Sequence, residues 1–132
     1  MPQVKITILG RIPSKKNSLR RIKRGRKIYT VPSEQHEQWH RLASLSLVTT
    51  KPFGLCHSIE ASFWMPDNRR SDLHNKFESV ADLLVDCGTI IDDSWQHTGS
   101  IRLIPMGVNK ENPRVEITLT REDDHDTKAT CA

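Results

Sequence analysis

Carboxylate side chains gather along one predicted helix and directly after it. Asp72 stands where this helix is predicted to begin, and Asp92-Asp93 follow its end after a short apolar run. The helix face opposite the apolar stripe carries Asn75, Glu78, Ser79, Asp82 and Asp86. Two or three converging carboxylates suit Mg²⁺, which prefers oxygen ligands, and bound Mg²⁺ activates water for phosphodiester hydrolysis. If the chain turns back after the helix, Asp93 lies beside Asp72.

Each of these acids also has a purely structural interpretation. An aspartate before a helix often only caps the first turn, which is the alternative for Asp72. The acids on the helix face are equally compatible with a solvated surface, and Asp92-Asp93 with a turn. Spacing alone leaves both interpretations open.

A basic segment precedes the acids in the chain. Its cations have no acid among them: Arg11, Lys15, Lys16, Arg20, Arg21, Lys23, Arg24, Arg26 and Lys27. Such a segment predicts phosphate contacts, which position nucleic acid without reading its sequence. Arg69 and Arg70, just before Asp72, are further candidates for phosphate contact. The alternative is a solvated, flexible loop of ordinary charge.

One short motif favours a different chemistry. His36-Glu37-Gln38-Trp39-His40 matches the His-Glu-x-x-His pattern, in which two histidines bind zinc and the glutamate acts as a base. The downstream extension that usually supplies the third ligand is missing. The alternative is a surface helix with Trp39 buried and the two histidines half exposed.

The elements that position these residues follow from hydrophobic periodicity. Strands are predicted over 4–9, 27–31, 57–65, 101–106 and 115–120, with a basic loop over 10–25. One helix is predicted over about 34–48, capped by Ser33 and packed through Trp39, Leu42, Ala43 and Ser46. A second helix runs from about 72 to 87 and ends at Gly88, with an apolar stripe of Leu73, Phe77, Val80 and Leu84.

This ββαβαββ order predicts a single α+β domain over residues 1–120, with a mixed β-sheet and two main helices, followed by a polar tail over 121–132. Phe63 and Trp64 on the central strand are expected in the core. The chain has 132 residues, a net charge of +4 and no long apolar run, so we expect a cytoplasmic protein without a membrane segment. Cys56, Cys87 and Cys131 are too dispersed for a disulfide framework or a cysteine zinc site.

The acidic segment resembles the signature of the RusA-type Holliday junction resolvases. In that family an Asp-x-Asp-Asn segment is followed by a helix with a further Asp, then by Asp-Asp and a nearby Gln. The matching residues here are Asp72, Asn75, Asp82, Asp93 and Gln96. The loop over 12–17 and the helix entry over 32–39 are also similar, so the resemblance covers most of residues 4–120.

The resemblance implies a homodimer that binds four-way DNA junctions and makes paired nicks with Mg²⁺, or with Mn²⁺ as a substitute, in a bacterial or phage-infected cell. Asp72 and Asp93 are then the principal metal ligands, while Asp92, Glu78, Asp82 and His74 compete for the third position. Asn75 is expected to orient a ligand or a water.

The sequence departs from the family at two positions. His74 replaces the second Asp of the signature, and Glu78 stands where the family has its catalytic Lys. Lys76 lies two residues before Glu78, about 200° around the helix, so it does not take over from the same face. One hypothesis is that the two exchange roles, with Glu78 as a ligand and Lys76 as a catalytic contact to phosphate. The alternatives are a solvated Lys76 and a catalytically inactive module that binds branched DNA.

Overall fold

The computed structural model describes residues 2–14, 19–48 and 50–121. It is a mixed α+β domain with two main helices, as predicted. The elements are β1 (Gln3–Leu9), β2 (Leu19–Arg24), β3 (Lys27–Pro32), α1 (Glu34–Ser46), β4 (Ser58–Met65), α2 (Leu73–Asp86), α3 (Trp95–Thr98), β5 (Ser100–Val108) and β6 (Arg114–Thr120). No helix within the described ranges has the length and apolar character needed to cross a membrane.

The main sheet has four strands in the order β1-β6-β4-β5. β4 and β5 are parallel, and the other neighbours are antiparallel, so the sheet is mixed. Parallel neighbours need a long crossover connection, and α2 lies within the connection between β4 and β5. α2 and the segments at its two ends are thereby held against this half of the sheet.

The basic segment is not a loop throughout, contrary to the prediction over 10–25. Residues 19–24 form β2, which pairs with β3 in a separate two-stranded sheet. β3 was predicted as a strand over 27–31, but β2 was missed, because its described side chains are mostly exposed cations and lack the apolar alternation that marks a half-buried strand. The polar tail beyond residue 121 lies outside the described residues.

The core lies between the main sheet and the two long helices. Inward residues of β4 and β6 alternate with outward ones, and the predicted stripe of α2 packs against them, with Phe77, Val80 and Leu84 buried and Leu73 partly buried. Phe63 is 1% exposed and belongs to this core. Trp64 is only half-buried, and the guanidinium of Arg114 lies 3.9 Å from its ring centre.

α1 begins as predicted, because the Ser33 hydroxyl accepts a hydrogen bond from the amide of His36 at 3.1 Å. Its predicted packing face is partly wrong. Trp39 and Ala43 are buried, but Leu42 is 58% exposed and Ser46 is also exposed. The buried stripe consists of His36, Trp39, Ala43 and Leu47. Residues spaced three and four apart form a narrow stripe along a helix. Leu42 lies beside this stripe and is therefore exposed.

Candidate functional site

The start of α2 is built around Asp72. Its Oδ1 accepts a hydrogen bond from the His74 amide at 2.9 Å, and its Oδ2 accepts one from the Asn75 side chain at 3.4 Å. The N-cap interpretation is therefore confirmed, whereas the role of Asn75 as an orienting residue stays a prediction. Asp72 remains exposed, so its carboxylate is accessible to solvent. Its role as a metal ligand stays a prediction.

One side of α2 borders a cleft of about 550 Å³, which we call the acidic cleft. Its ionisable lining residues are His74, Glu78, Asp82 and Asp93. They stand over an apolar base that includes Ile59, Phe77 and Leu103. His74 and Glu78 lie one helical turn apart on α2 and contact each other, with 3.3 Å between His74 Nε2 and Glu78 Oε1. The structure thus brings together four of the predicted ligand residues.

The two strongest predicted ligands lie in different clefts. Asp93 lines the acidic cleft, whereas Asp72 lines a second cleft described below. α2 has 14 residues, about 21 Å of helix, and the segment after it is tied to residues 53–54 by the bridge between Gly54 and Ile90. Asp93 therefore shares a cleft with His74 and Glu78 and not with Asp72.

Asp92 is exposed and does not line the acidic cleft. A hydrogen bond from the Ser94 hydroxyl, assisted by the Asp93 backbone, lowers the pKa of the Asp92 carboxyl below its usual value. Asp92 therefore takes part in the turn that contains Asp93. Its position does not support the prediction that it is a metal ligand.

The donor set of the acidic cleft can be compared with the needs of Mg²⁺. Carboxylate oxygens are preferred ligands, and the ion usually keeps several waters and binds substrate phosphate. Within residues 2–14, 19–48 and 50–121, no three His, Cys, Asp or Glu side chains are close enough to form a metal site. At most two of these side chains could therefore reach one ion, and water and substrate phosphate would have to complete its coordination.

The other side of α2 borders a cleft of about 600 Å³, which we call the basic cleft. Its charged lining residues are Arg11, Arg69, Arg70, Lys76 and Asp72. Lys76 is only 6% exposed, and its Nζ donates a hydrogen bond to the carbonyl oxygen of Ile12 at 2.7 Å. The pKa of Lys76 is lowered from its usual value, mainly by burial and further by the Arg11 guanidinium. A solvated Lys76 is therefore excluded, and it shares no cleft with Glu78.

The polar face predicted for α2 is wrong at Ser79. This residue is completely buried, and its hydroxyl donates to the Pro13 carbonyl oxygen at 2.8 Å and lies 3.4 Å from His36 Nε2. Residues 12–13 therefore cover this part of α2, where Lys76 and Ser79 hold them by two hydrogen bonds.

The His-Glu-x-x-His motif lies at the junction of α1 and α2. His36 is 8% exposed, not half exposed as the surface-helix alternative supposed, while Trp39 is buried as that alternative expected. His40 Nε2 lies 2.9 Å from an Asp86 carboxylate oxygen, and Glu37 lies 3.5 Å from the guanidinium of Arg20. Both contacts are inter-element ion pairs or hydrogen bonds that join α1 to its neighbours.

The cations of the β2–β3 hairpin form two groups, one paired with acids of α1 and the other exposed. Arg20 is engaged with α1, with 2.8 Å between its guanidinium and Glu34. The remaining hairpin cations are exposed: Arg21, Lys23, Arg24, Arg26 and Lys27. Lys15 and Lys16, also predicted to bind DNA, lie outside the described residues.

Several residues of the basic cleft were not singled out in the sequence as members of a site. They are Ser14, Gln35 and Trp39, which come from distant parts of the chain. The cations of the cleft were each considered for phosphate contact in the sequence, but their grouping in one cleft was not predicted: Arg11, Arg69, Arg70 and Lys76.

No protein-family model matches the chain, and no curated protein matches it at a significant level. The resemblance described above therefore stays a prediction, and the functional argument depends on the two clefts and the hairpin.

Proposed function

We propose that this chain is a magnesium-dependent, structure-specific DNA endonuclease that makes paired nicks in four-way junctions and other branched DNA. We further propose that it acts as a homodimer, because a two-fold dimer presents one site to each of two opposed strands of a junction. The proposal follows the resemblance of residues 69–96 and adds the physical arrangement of α2.

The observation that carries the proposal is the separation of charge across α2. One side of the helix faces a cleft with three carboxylates and an imidazole, and the other faces a cleft with four cations. Phosphodiester hydrolysis needs oxygen ligands for a cation beside the reacting phosphate and positive charge for the flanking backbone. The exposed cations of the β2–β3 hairpin extend the positive surface without providing a base-stacking platform.

Each group has a definite task in this scheme. At most two of the cleft carboxylates Glu78, Asp82 and Asp93 would hold the ion at one time, with water and substrate phosphate as its other ligands, and when bound it would supply water activation and charge neutralisation. His74 positions Glu78 by their contact at 3.3 Å. Asn75 orients the Asp72 carboxylate at the helix start, next to the scissile strand. The cations position the backbone without reading its bases.

A nicking assay tests the proposal. A labelled four-way junction and a matched linear duplex are incubated with the protein and either Mg²⁺ or EDTA. We expect paired nicks on the junction only, lost with EDTA and in Asp93→Asn and Glu78→Gln. The matched control is Glu111→Gln, an exposed acid that lines neither cleft, and it should cut normally. Absence of both binding and cleavage in the wild-type protein would refute the proposal.

A second candidate is a module that binds branched DNA without cutting it. It is favoured by the lack of three gathered metal-ligating side chains among the described residues. Salt-sensitive junction binding without nicking would support it. His74→Asp and Glu78→Lys, which restore the pattern of the family, would then be the first changes to test for cleavage.

A zinc hydrolase is the less favoured enzyme class. His36 Nε2 lies near Ser79 Oγ, and His40 Nε2 lies near Asp86, so each imidazole already has a protein contact. Measurement of bound zinc in the purified protein tests this alternative directly.

A further inference from the structure

The cations that line the basic cleft outnumber the acids available to pair with them. Arg11 and Arg69 share one acid, Asp67, at 3.4 and 3.5 Å. Arg70 and Lys76 form no ion pair within the described residues, and Asp72 is the one acid in the lining. With Asp67 and Asp72 counted against the four cations, the cleft keeps a positive charge.

Lys76 is the least expected of these cations, because a buried ammonium group is costly unless it is paired. An ammonium group has three donors, and in the part of the chain that the structure describes one of them is used, on the Ile12 carbonyl. That carbonyl carries no full charge. The arrangement therefore leaves donors and charge directed to a site where an anion would complete them.

Two further polar atoms belong to residues of the lining. Among the residues that the structure describes, the Ser14 hydroxyl and the Trp39 indole N–H find no hydrogen-bond partner, and both residues line the basic cleft. Trp39 as a whole is 9% exposed. Buried donors are normally paired, and an unpaired one costs free energy. An anion with several acceptor oxygens would satisfy both.

We infer that the basic cleft binds a phosphate group of the DNA backbone that is not the phosphate being cut. This inference rests on the proposed function and adds a second contact point for the same strand. A phosphate supplies a negative charge for Lys76 and Arg70 and acceptor oxygens for Ser14 and Trp39.

The position of α2 between the clefts limits which phosphate this is. A helix with its side chains is about 10 Å wide, and successive nucleotides of a duplex strand rise about 3.4 Å. The bound phosphate therefore lies within a few nucleotides of the one at the acidic cleft. Lys76 is a positioning residue in this scheme, because it contacts the backbone away from the reacting atoms.

The first experiment uses small probes and no DNA cleavage. ¹H–¹⁵N spectra resolve the indole N–H signals of Trp39, Trp64 and Trp95, and Trp39→Phe assigns the first. Titration with inorganic phosphate or with the phosphodiester dTpdT should shift the Trp39 signal. The shift should vanish in Lys76→Met and Arg70→Gln and persist in Lys5→Gln, an exposed cation outside the cleft.

The two probes distinguish the source of the phosphate. A response to dTpdT, with or without one to inorganic phosphate, supports a backbone diester. A response to inorganic phosphate alone, or to neither, overturns the inference. If Lys76→Met fails to fold, Arg70→Gln carries the test, because Arg70 is exposed and its loss leaves no cavity.

The second experiment identifies the phosphate on a junction in EDTA, where cutting cannot interfere. Neutral methylphosphonate linkages replace single phosphates along one strand. One position within a few nucleotides of the nick, but not at the nick itself, should weaken wild-type binding about tenfold and leave Lys76→Met binding unchanged. Equal weakening in both proteins at every position would overturn the inference. A positive result without nicking in Mg²⁺ would retain this subsite and reject only the endonuclease.

Discussion

Asp72 is the N-cap of α2 and also a predicted metal ligand, and two different substitutions can distinguish these roles. Its carboxylate caps α2 through the His74 amide at 2.9 Å, and it is also a predicted metal ligand. Asn keeps an acceptor oxygen at the same place and is an equally good N-cap, whereas Ala removes the acceptor. Asp72→Ala should therefore lower the free energy of unfolding by about 1 kcal/mol, or about 4 °C in Tm.

Asp72→Asn should keep the cap but lose the interaction of the charge with the helix dipole, about 0.3 kcal/mol at this exposed position. It should also lose the long hydrogen bond from the Asn75 side chain, because an amide nitrogen cannot accept it. If Asp72 binds the cation, junction cleavage should nevertheless fall about 100-fold or more in both variants. Urea unfolding followed by circular dichroism measures stability, and the nicking assay measures activity. Normal cleavage by Asp72→Asn would show that this residue is only a cap.

Ser33→Ala is the matched control, because it removes the corresponding cap of α1, the acceptor of the His36 amide at 3.1 Å. It should cost about 1 kcal/mol and leave the cleavage rate of the folded protein unchanged. If it abolished cleavage as fully as Asp72→Ala, the loss in both would reflect stability alone.

Two further predictions concern the scaffold. Burial raises the pKa of the Cys56 thiol to about 11, against a partial opposing effect of Arg121, so iodoacetamide at pH 8 should label the half-exposed Cys87 in preference to Cys56. Equal labelling of both thiols, measured by peptide mass analysis, would contradict the burial of Cys56. Because the folded protein holds the Cys56 proton more tightly than the unfolded chain does, the contribution of Cys56 to stability should fall as pH rises from about 9 to about 11. Gly99→Ala should lower the free energy of unfolding by about 3 kcal/mol or more, since a Cβ at this positive φ of 67° would collide with the His57 carbonyl, and a near-wild-type urea midpoint would show that the close approach is absent.

The start, the end and the buried face of α2 could be predicted because residues close together in the sequence determine them. Its apolar stripe repeats at helical spacing, Asp72 is a good N-cap, and Gly88 ends the helix with a φ of 73°. β4 and β6 were likewise predicted from alternation, and Phe63 lies in the core as expected, whereas Trp64, also expected there, is only half-buried. These features need only a few neighbouring residues, so a single sequence contains the necessary information.

The composition of the clefts was less predictable, because it depends on segments that are distant in the chain. Lys76 and Ser79 were expected on polar surfaces, yet residues 12–13 cover both. No local pattern indicates that a segment 64 residues away will supply the partner of Lys76 Nζ. β2 was missed for a related reason, since it is defined by its pairing with β3 and not by its own side chains.

The sequence by itself determined the residue types of the site: a row of acids on one helix, cations before it, and a capping aspartate at its start. The tertiary structure alone decided how they are grouped. It placed Glu78, Asp82 and Asp93 in one cleft, and Asp72 with Lys76 in another. The physical reason is that a helix presents different residues to each side, and only the sheet and the segment over 11–14 determine which sides become clefts.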